Sequence, residues 1–435
     1  IFPILTYFFY LTPLLLISGP FLPDLLVVFI ALFVLFLLIS KRFIEISNKL
    51  KLTIFIFSIF YIYITLRSAF SIDPWLSYES SLFYFRYIFY LLGIFYLFNK
   101  NENLLKKISL VALFSALILS IDSIVEFTLG FQMFGSASPG IEYGRLSSFF
   151  GSEMIMGSFL VKMLPFIFIL LHYYFNVLDK KLLFSLTFAV LISTYFAIYV
   201  SGERSAMFSG VILFIVFIFS IPYIKLFNKI IFLILTISLL FFSISSFQDS
   251  SSKRFKMTIN QIINSENKLN IFSVQHESHV KTALLMFNDN ILFGHGSKIF
   301  RELCSDERFA FVITKTQAVK RITEVDNKDV LSNGCSTHPH HFYVQMLSEN
   351  GLVGFIFFLI LVGFLIFKII NCFRNNQYIV TSKNFPIYIF SVSLLLIFNP
   401  LLPSNNIFNN WISCVIYLKI GLLLSLNESK YSQKL

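Results

Sequence analysis

A chain of 435 residues, 57% hydrophobic and only 13% charged, carries more apolar surface than one water-soluble core of that size can hide. Its 57 Phe, 20 Tyr and mean hydropathy of +0.78 exclude an ordinary soluble domain and point to a bilayer as the solvent for most of the chain. The formal charge of +11 would suit a nucleic-acid binder, but the lysines gather in alternate short connections, as a membrane-topology signal does.

About 20 apolar residues cross a bilayer as a helix. The apolar runs predict about twelve spans, near 1–18, 24–40, 53–70, 82–98, 108–127, 152–174, 183–200, 205–221, 229–246, 342–368, 386–402 and 409–427. They are apolar nearly all round, as helices against lipid or inside a bundle must be. No basic stretch precedes the first run, so Ile4 to Ser18 reads as a helix and not as a cleavable leader.

One set of connections holds Lys41, Arg42, Lys49 and Lys51, then Lys100, Lys106 and Lys107, then Lys180 and Lys181. It continues through Lys225 and Lys229, Lys368, Arg374 and Lys383 to Lys430 and Lys434 in the tail. The other set (19–23, 71–81, 128–148, 201–202 and 399–409) is poor in Lys. Positive residues stay in the cytoplasm, so both termini are expected there. The polar stretch before the tenth span then lies outside. The expected fold class is an all-α integral membrane protein with one large periplasmic loop subdomain. Its parts are helices one to nine in 1–246, the loop in 247–338, helices ten to twelve in 339–427 and a cytoplasmic tail in 428–435.

Six of the seven histidines (His276, His279, His295, His338, His340 and His341) fall in that loop or at its exit. Imidazole is the side chain best placed to move protons near neutral pH. Two cysteines, Cys304 and Cys335, share the loop; in an oxidising compartment a bridge closing a loop of this length stabilises by roughly 3–4 kcal/mol. The alternative is two unpaired thiols. A metal at Cys335, His338, His340 and His341 is not expected, because no second Cys or His pair stands at the usual spacing. A serine hydrolase lacks its Gly-x-Ser-x-Gly elbow, and His172, alone near the far end of the sixth span, reads as structural.

Charges at membrane depth are expensive and mark function by default. They are Arg67, Arg86, Asp122, Glu126, Glu153, Lys162, Glu203, Arg204 and Lys419. Apart from Lys162 and Lys419, they lie toward the outer ends of their spans. Arginine's planar fork matches phosphate oxygens, so Arg204, in the turn 201–206, is the leading anion contact, against a plain ion pair with Glu203. Arg86 is either a further phosphate contact or an interfacial anchor. After the loop, a helix starting near Pro339 puts His341, Gln345 and Glu349 on one face, which should look inward or into a wet cavity. His340 stands at its mouth, where a general base for a sugar hydroxyl is wanted.

These residues carry a resemblance. His340-His341, nine residues, then Gly351-x-x-Gly354 resembles the signature of the O-antigen ligase family, with His341 where Asn, Ser or Gln is usual. Gly144 to Gly151 resembles its Arg-x-x-Gly-x-Phe segment, with Ser148 in place of Gly; Ser201 to Ser205 resembles its Ser-x-Arg turn, one residue longer. Asn288 to Gly296 resembles its Asn-Pro-Leu-Leu-Gly-x-Gly loop, with Ile291 where Pro is frequent. The resemblance implies a bacterial inner-membrane glycosyltransferase that moves a glycan from a polyprenyl diphosphate to a hydroxyl of lipid A core. It implies an inverting reaction with no metal or other cofactor. His340 would be the base, with Arg204 and Arg145 holding the departing diphosphate. Arg86, Glu203, His341, Gln345 and Glu349 are further substrate-binding candidates. Two relatives, an O-antigen polymerase and a protein O-oligosaccharyltransferase, share these features. A lipid-linked glycan flippase would share the spans but needs no one-sided loop ending in histidines.

Overall fold

The computed structural model describes residues 2–101, 103–134, 144–175, 181–221, 225–231, 233–234, 238, 253, 255–256, 274–313, 330–374 and 384–428. Among them the chain is almost entirely helical. It begins with α1 (Phe2–Tyr10), α2 (Thr12–Leu15), α3 (Phe21–Ile39), α4 (Asn48–Ala69), α5 (Pro74–Ser81) and α6 (Arg86–Lys100). Then come α7 (Leu104–Leu129), α8 (Met156–Phe175), α9 (Lys181–Val200) and α10 (Arg204–Ser220). The loop contributes α11 (Val274–Asp289), α12 (Phe300–Leu303) and an antiparallel ladder of β1 (Phe311–Ile313) with β2 (Val330–Ser332). The chain closes with α13 (Phe342–Arg374), α14 (Asn384–Ile397) and α15 (Asn410–Glu428).

Eight helices among the described residues are long and apolar enough to cross a membrane, one of them formed by α5 and α6 run together over Pro74–Lys100. Two more apolar helices, α10 and α14, are shorter. The expected first span is instead broken at Leu11 and again where Leu16–Ser18 tightens into a 3-10 turn; Pro13, inside it, cannot donate to a helical ladder. The expected ninth span, 229–246, falls mostly outside the described residues.

Local chemistry sets the helix ends. Ser47 accepts from Leu50 N at 3.1 Å and Asp73 from Leu76 N at 3.0 Å, with Pro74 at the first position of α5. The core lies between α3, α6, α8, α14 and α15, filled by buried aromatics such as Tyr87, Tyr90, Phe159, Phe166 and Phe390. His172 is part of this packing, stacked on Phe385 at 4.4 Å.

Successive helices start or finish at one rim. Arg86 at the start of α6 pairs with Asp24 at the start of α3 and with Asn410 at the start of α15. Arg67 at the end of α4 binds the loop at Gly294, and Ser404, between α14 and α15, binds His340 before α13. The Lys-poor connections therefore share a rim with the histidine loop. Lys368 meets Asn427 at the opposite rim. The connection 128–148 is tied down by two buried carboxylates of α7. Asp122 accepts from Ser148 Oγ at 2.5 Å and Met133 N at 2.6 Å, and Glu126 accepts from Ser148 N at 2.9 Å. These bonds hold Ser148 at φ +49°, a left-handed conformation that a side chain disfavours; the related motif has Gly there.

The loop packs on the first half of α13 around Ala283, Met286, Phe300, Leu303, Phe309 and Val344. Ser278, His279 and Thr282 of α11 are buried with Ala283 and Met286, while Leu284 is 39% exposed. His279 Nδ1–H is anchored on Gly334 O at 2.7 Å, which ties this face of the helix to the chain before α13. Cys304 and Cys335 are joined by a disulfide, with Cα atoms 5.0 Å apart.

Candidate active site

Two of the motifs interlock backbone to backbone. α13 is not one continuous helix: Gly351, at φ +60° and ψ −167°, breaks its ladder. The loop 290–296 occupies the break. Leu352 N and Val353 N donate to Ile291 O and Leu292 O at 2.9 and 3.2 Å, while His295 N and Gly296 N donate to Ser348 O and Glu349 O at 3.1 and 2.7 Å. A Cβ on Gly351 would sit 2.3 Å from Leu292 O, and one on Gly294 would sit 2.5 Å from Gly351 N. Only glycine fits either place. Tyr63 Oη–H donates to Asn350 O at 2.6 Å and Arg67 Nη2 to Gly294 O at 2.6 Å, clamping the knot from α4. Arg67 is thus committed to the loop backbone.

The knot fixes the start of α13, and with it the histidines. The rings of His276, His279 and His338 surround His340, with centroids 5.5, 5.5 and 4.0 Å from it. His340 itself sits at φ +54°, held by Ser404 N donating to its carbonyl at 2.8 Å and by Ser336 Oγ, 3.1 Å from Nε2. A non-glycine residue in that conformation is strained, a feature that concentrates at functional sites. Burial lowers the pKa of His340 to about 4, helped by His279. His276 falls to about 4 through burial, His340, His279 and the Arg204 guanidinium. His338 falls to about 3 through burial, with His340 adding to it. His340 is therefore neutral at physiological pH and keeps a ring lone pair with which to take a proton.

Beside the cluster lie the cations. Arg204 opens α10 with His276 and Arg145 as electrostatic neighbours. Arg145 Nη2 donates to Met154 O, and its Nε is buried with no hydrogen-bond partner among the described residues. Glu203 spans the first turn of α8, accepting from Gly157 N at 2.7 Å and Ser158 N at 3.2 Å, with Arg145 and Lys162 nearby. A carboxylate there offsets the positive end of the helix dipole. Next to it a small, half-open cleft lies between α8, α10, α13 and α14, lined by Lys162, Ser158, Ser205, Ser393, Ser404 and Asn405. Lys162 Nζ donates to Ser158 O at 3.0 Å and lies over the Trp411 ring. Lys419, fully buried, donates to Ser393 Oγ, one of the lining residues, at 2.6 Å. An anion in this cleft would meet Lys162, and two of the lining residues adjoin the other groups: Ser205 follows Arg204 in the chain, and Ser404 N binds the His340 carbonyl.

Of the residues singled out in the sequence, His340, Arg204, Arg145 and Glu203 come together here. The others are engaged within the protein. Arg86 pairs with Asp24 at 2.9 Å and donates to Asn410 Oδ1 at 2.8 Å. His341 donates from Nε2 to Pro400 O at 2.9 Å and accepts from Val344 N at 3.3 Å on Nδ1, capping α13. Gln345 bridges Glu349 at 3.0 Å and Asn406 at 2.8 Å, and Glu349 accepts from Phe300 N at 3.4 Å. The inward stripe exists, but it stitches α13 to the loop and to the chain before α15. Sequence reasoning did not single out His276, His279 and His338 as neighbours of His340; their clustering in one loop was the available signal.

A multi-pass membrane protein in which an inserted loop lays histidines against arginines at one rim is the class these features define. Residues 188–359 match the protein family described as O-Antigen ligase. The match takes in Arg204, the Asn288–Gly296 loop and the His340–Gly354 block; Arg86 and Arg145 lie before it. No curated protein matches the chain.

Proposed function

We propose that the protein is a bacterial inner-membrane glycan ligase, with the histidine rim periplasmic and both termini cytoplasmic. Its donor is a polyprenyl-diphosphate-linked saccharide and its acceptor a hydroxyl of lipid A core. The O-antigen ligase domain supports the reaction class. The observation that carries the reading is a neutral His340 held in a strained conformation within a histidine cluster that Arg204 faces, next to a cleft that Lys162 lines.

In this reading His340 takes the acceptor's hydroxyl proton as that oxygen attacks the anomeric carbon. The bond from the anomeric carbon to the diphosphate oxygen breaks, and its electron pair leaves with the polyprenyl diphosphate. A single displacement inverts the anomeric centre. Arg204 and Arg145 offset the charge that develops on the leaving group. Because that group is already stable, positioning and charge stabilisation carry most of the barrier. The disulfide-closed loop covers the site and contributes to acceptor choice.

The test is glycan transfer in membranes carrying the lipid-linked saccharide, with His340→Ala and Arg204→Ala at matched expression. Loss of a general base or of an electrostatic clamp each lowers turnover by roughly 10²–10³-fold, with donor accumulating. Full transfer by His340→Ala removes it as the base. Wild type that extends lipid-linked repeats without touching lipid A core makes the protein a polymerase.

A further inference from the structure

Four consecutive residues before the histidines form a strap in which three residues are tied to the loop and one faces His340. Gly334 donates from N to Thr282 Oγ1 at 2.9 Å and accepts on O from His279 Nδ1–H at 2.7 Å. A Cβ there would lie 2.0 Å from Ser278 O, so the strap runs flush against α11. Cys335 is bonded to Cys304, a buried residue of the loop's own apolar cluster. Thr337 O accepts from Arg301 Nη2 at 3.4 Å and its Oγ1 meets His338 Nδ1 at 3.0 Å. Between them, Ser336 Oγ sits 3.1 Å from His340 Nε2.

We infer that Ser336 is a positioning residue that orients the His340 imidazole, and that the Cys304–Cys335 bridge keeps it in register. This rests on the reading of His340 as the base. A ring on a flexible side chain has two torsions to fix, and the left-handed backbone of His340 settles neither. Ser336 gives the ring an anchor from a segment that cannot slide, because its neighbours on both sides are tied to α11 and α12. The loop thereby acts on the reacting group through one hydroxyl. The charged and titratable groups facing the ring environment are His276, His279, His338, Arg204 and Arg301, none of which the Ser336 variants remove.

The experiment has two readouts on the full-length protein in detergent: transfer from a polyprenyl-diphosphate-linked oligosaccharide to lipid A core, and modification of His340 by diethylpyrocarbonate, mapped by mass spectrometry. Ser336→Ala should lower kcat roughly 10- to 100-fold with the KM of both substrates nearly unchanged, the scale for losing a partner that aims a reacting group. It should also raise the His340 modification rate several-fold and displace the acid limb of the kcat–pH profile. Ser336→Thr, which keeps the hydroxyl, should restore all three. Cys304→Ser with Cys335→Ser should reproduce the modification increase, and so should mild reduction of the wild type. A His340 modification rate unchanged by Ser336→Ala overturns the inference, as does an alanine variant that Thr does not rescue. A rise in His340 modification in Ser336→Ala, reversed in Ser336→Thr, together with a wild type that transfers nothing would overturn the ligase reading while supporting the positioning role, so the two failures are separable.

Discussion

Gly351→Ala tests whether the interlocked backbone is what orders the site. Alanine at φ +60° and ψ −167° would occupy a region reserved almost wholly for glycine, costing about 1–3 kcal/mol. The new Cβ would meet Leu292 O at 2.3 Å and Leu292 C at 2.4 Å, backbone atoms with no rotamer to escape into. Relief requires the loop to back away, which breaks the Leu352 N–Ile291 O and Val353 N–Leu292 O bonds at about 1 kcal/mol each. Together these give about 3–5 kcal/mol of destabilisation. Gly363→Ala is the internal control: it lies in the same helix with nothing within 4 Å of its would-be Cβ, so alanine should be neutral or stabilising by up to about 1 kcal/mol. The assay is thermal inactivation of the two variants side by side in one detergent, followed by glycan transfer. If Gly351→Ala survives heating as well as Gly363→Ala, the argument that the knot demands glycine is wrong.

Acid should destabilise the loop before it affects the bundle. His276, His338 and His340 titrate at about 4, 3 and 4 when folded, against about 6.5 when unfolded, so the unfolded chain binds more protons across that interval. Stability is therefore complete above pH 6.5 and is lost as pH falls toward 4; stability that is flat from pH 7 to 4 would refute the burial of these rings. The ion pair of Arg86 with Asp24 is partly buried, at 14% and 26% side-chain exposure, and should show a coupling of about 1–2 kcal/mol in a double-mutant cycle of Arg86→Gln and Asp24→Asn. Strict additivity would return Arg86 to the list of free phosphate contacts.

Eight of the twelve expected spans were legible because lipid imposes a length and an all-round apolarity that composition reveals directly. The broken first segment was not, since a hydropathy average over 1–18 passes over Pro13 and the turn at Leu16–Ser18. His340 and Arg204 stood out through their place at the loop and turn. The roles of Arg67, Arg86 and Gln345 were hidden for a common reason. A polar side chain in an apolar helix announces that it has a partner, not whether that partner is a substrate or another part of the chain. Arg67 serves the carbonyl of Gly294, 227 positions away, and sequence spacing has no view of that distance.

The break in α13 also constrains how such proteins can be recombined. Loops are ordinarily the parts that evolution exchanges freely, because their removal leaves the scaffold's own hydrogen bonds intact. Here the scaffold borrows part of its helix from the loop: four backbone groups that a regular ladder would pair with one another, in two bonds, bond to residues 290–296 instead. A graft that takes the loop from a relative must bring that segment and the Gly351 break together, or the recipient helix is left with open donors and acceptors at its most buried point. Acceptor preference should therefore be inherited as a block running through both glycine motifs, and chimaeras joined between them should fail to fold where those joined outside them succeed.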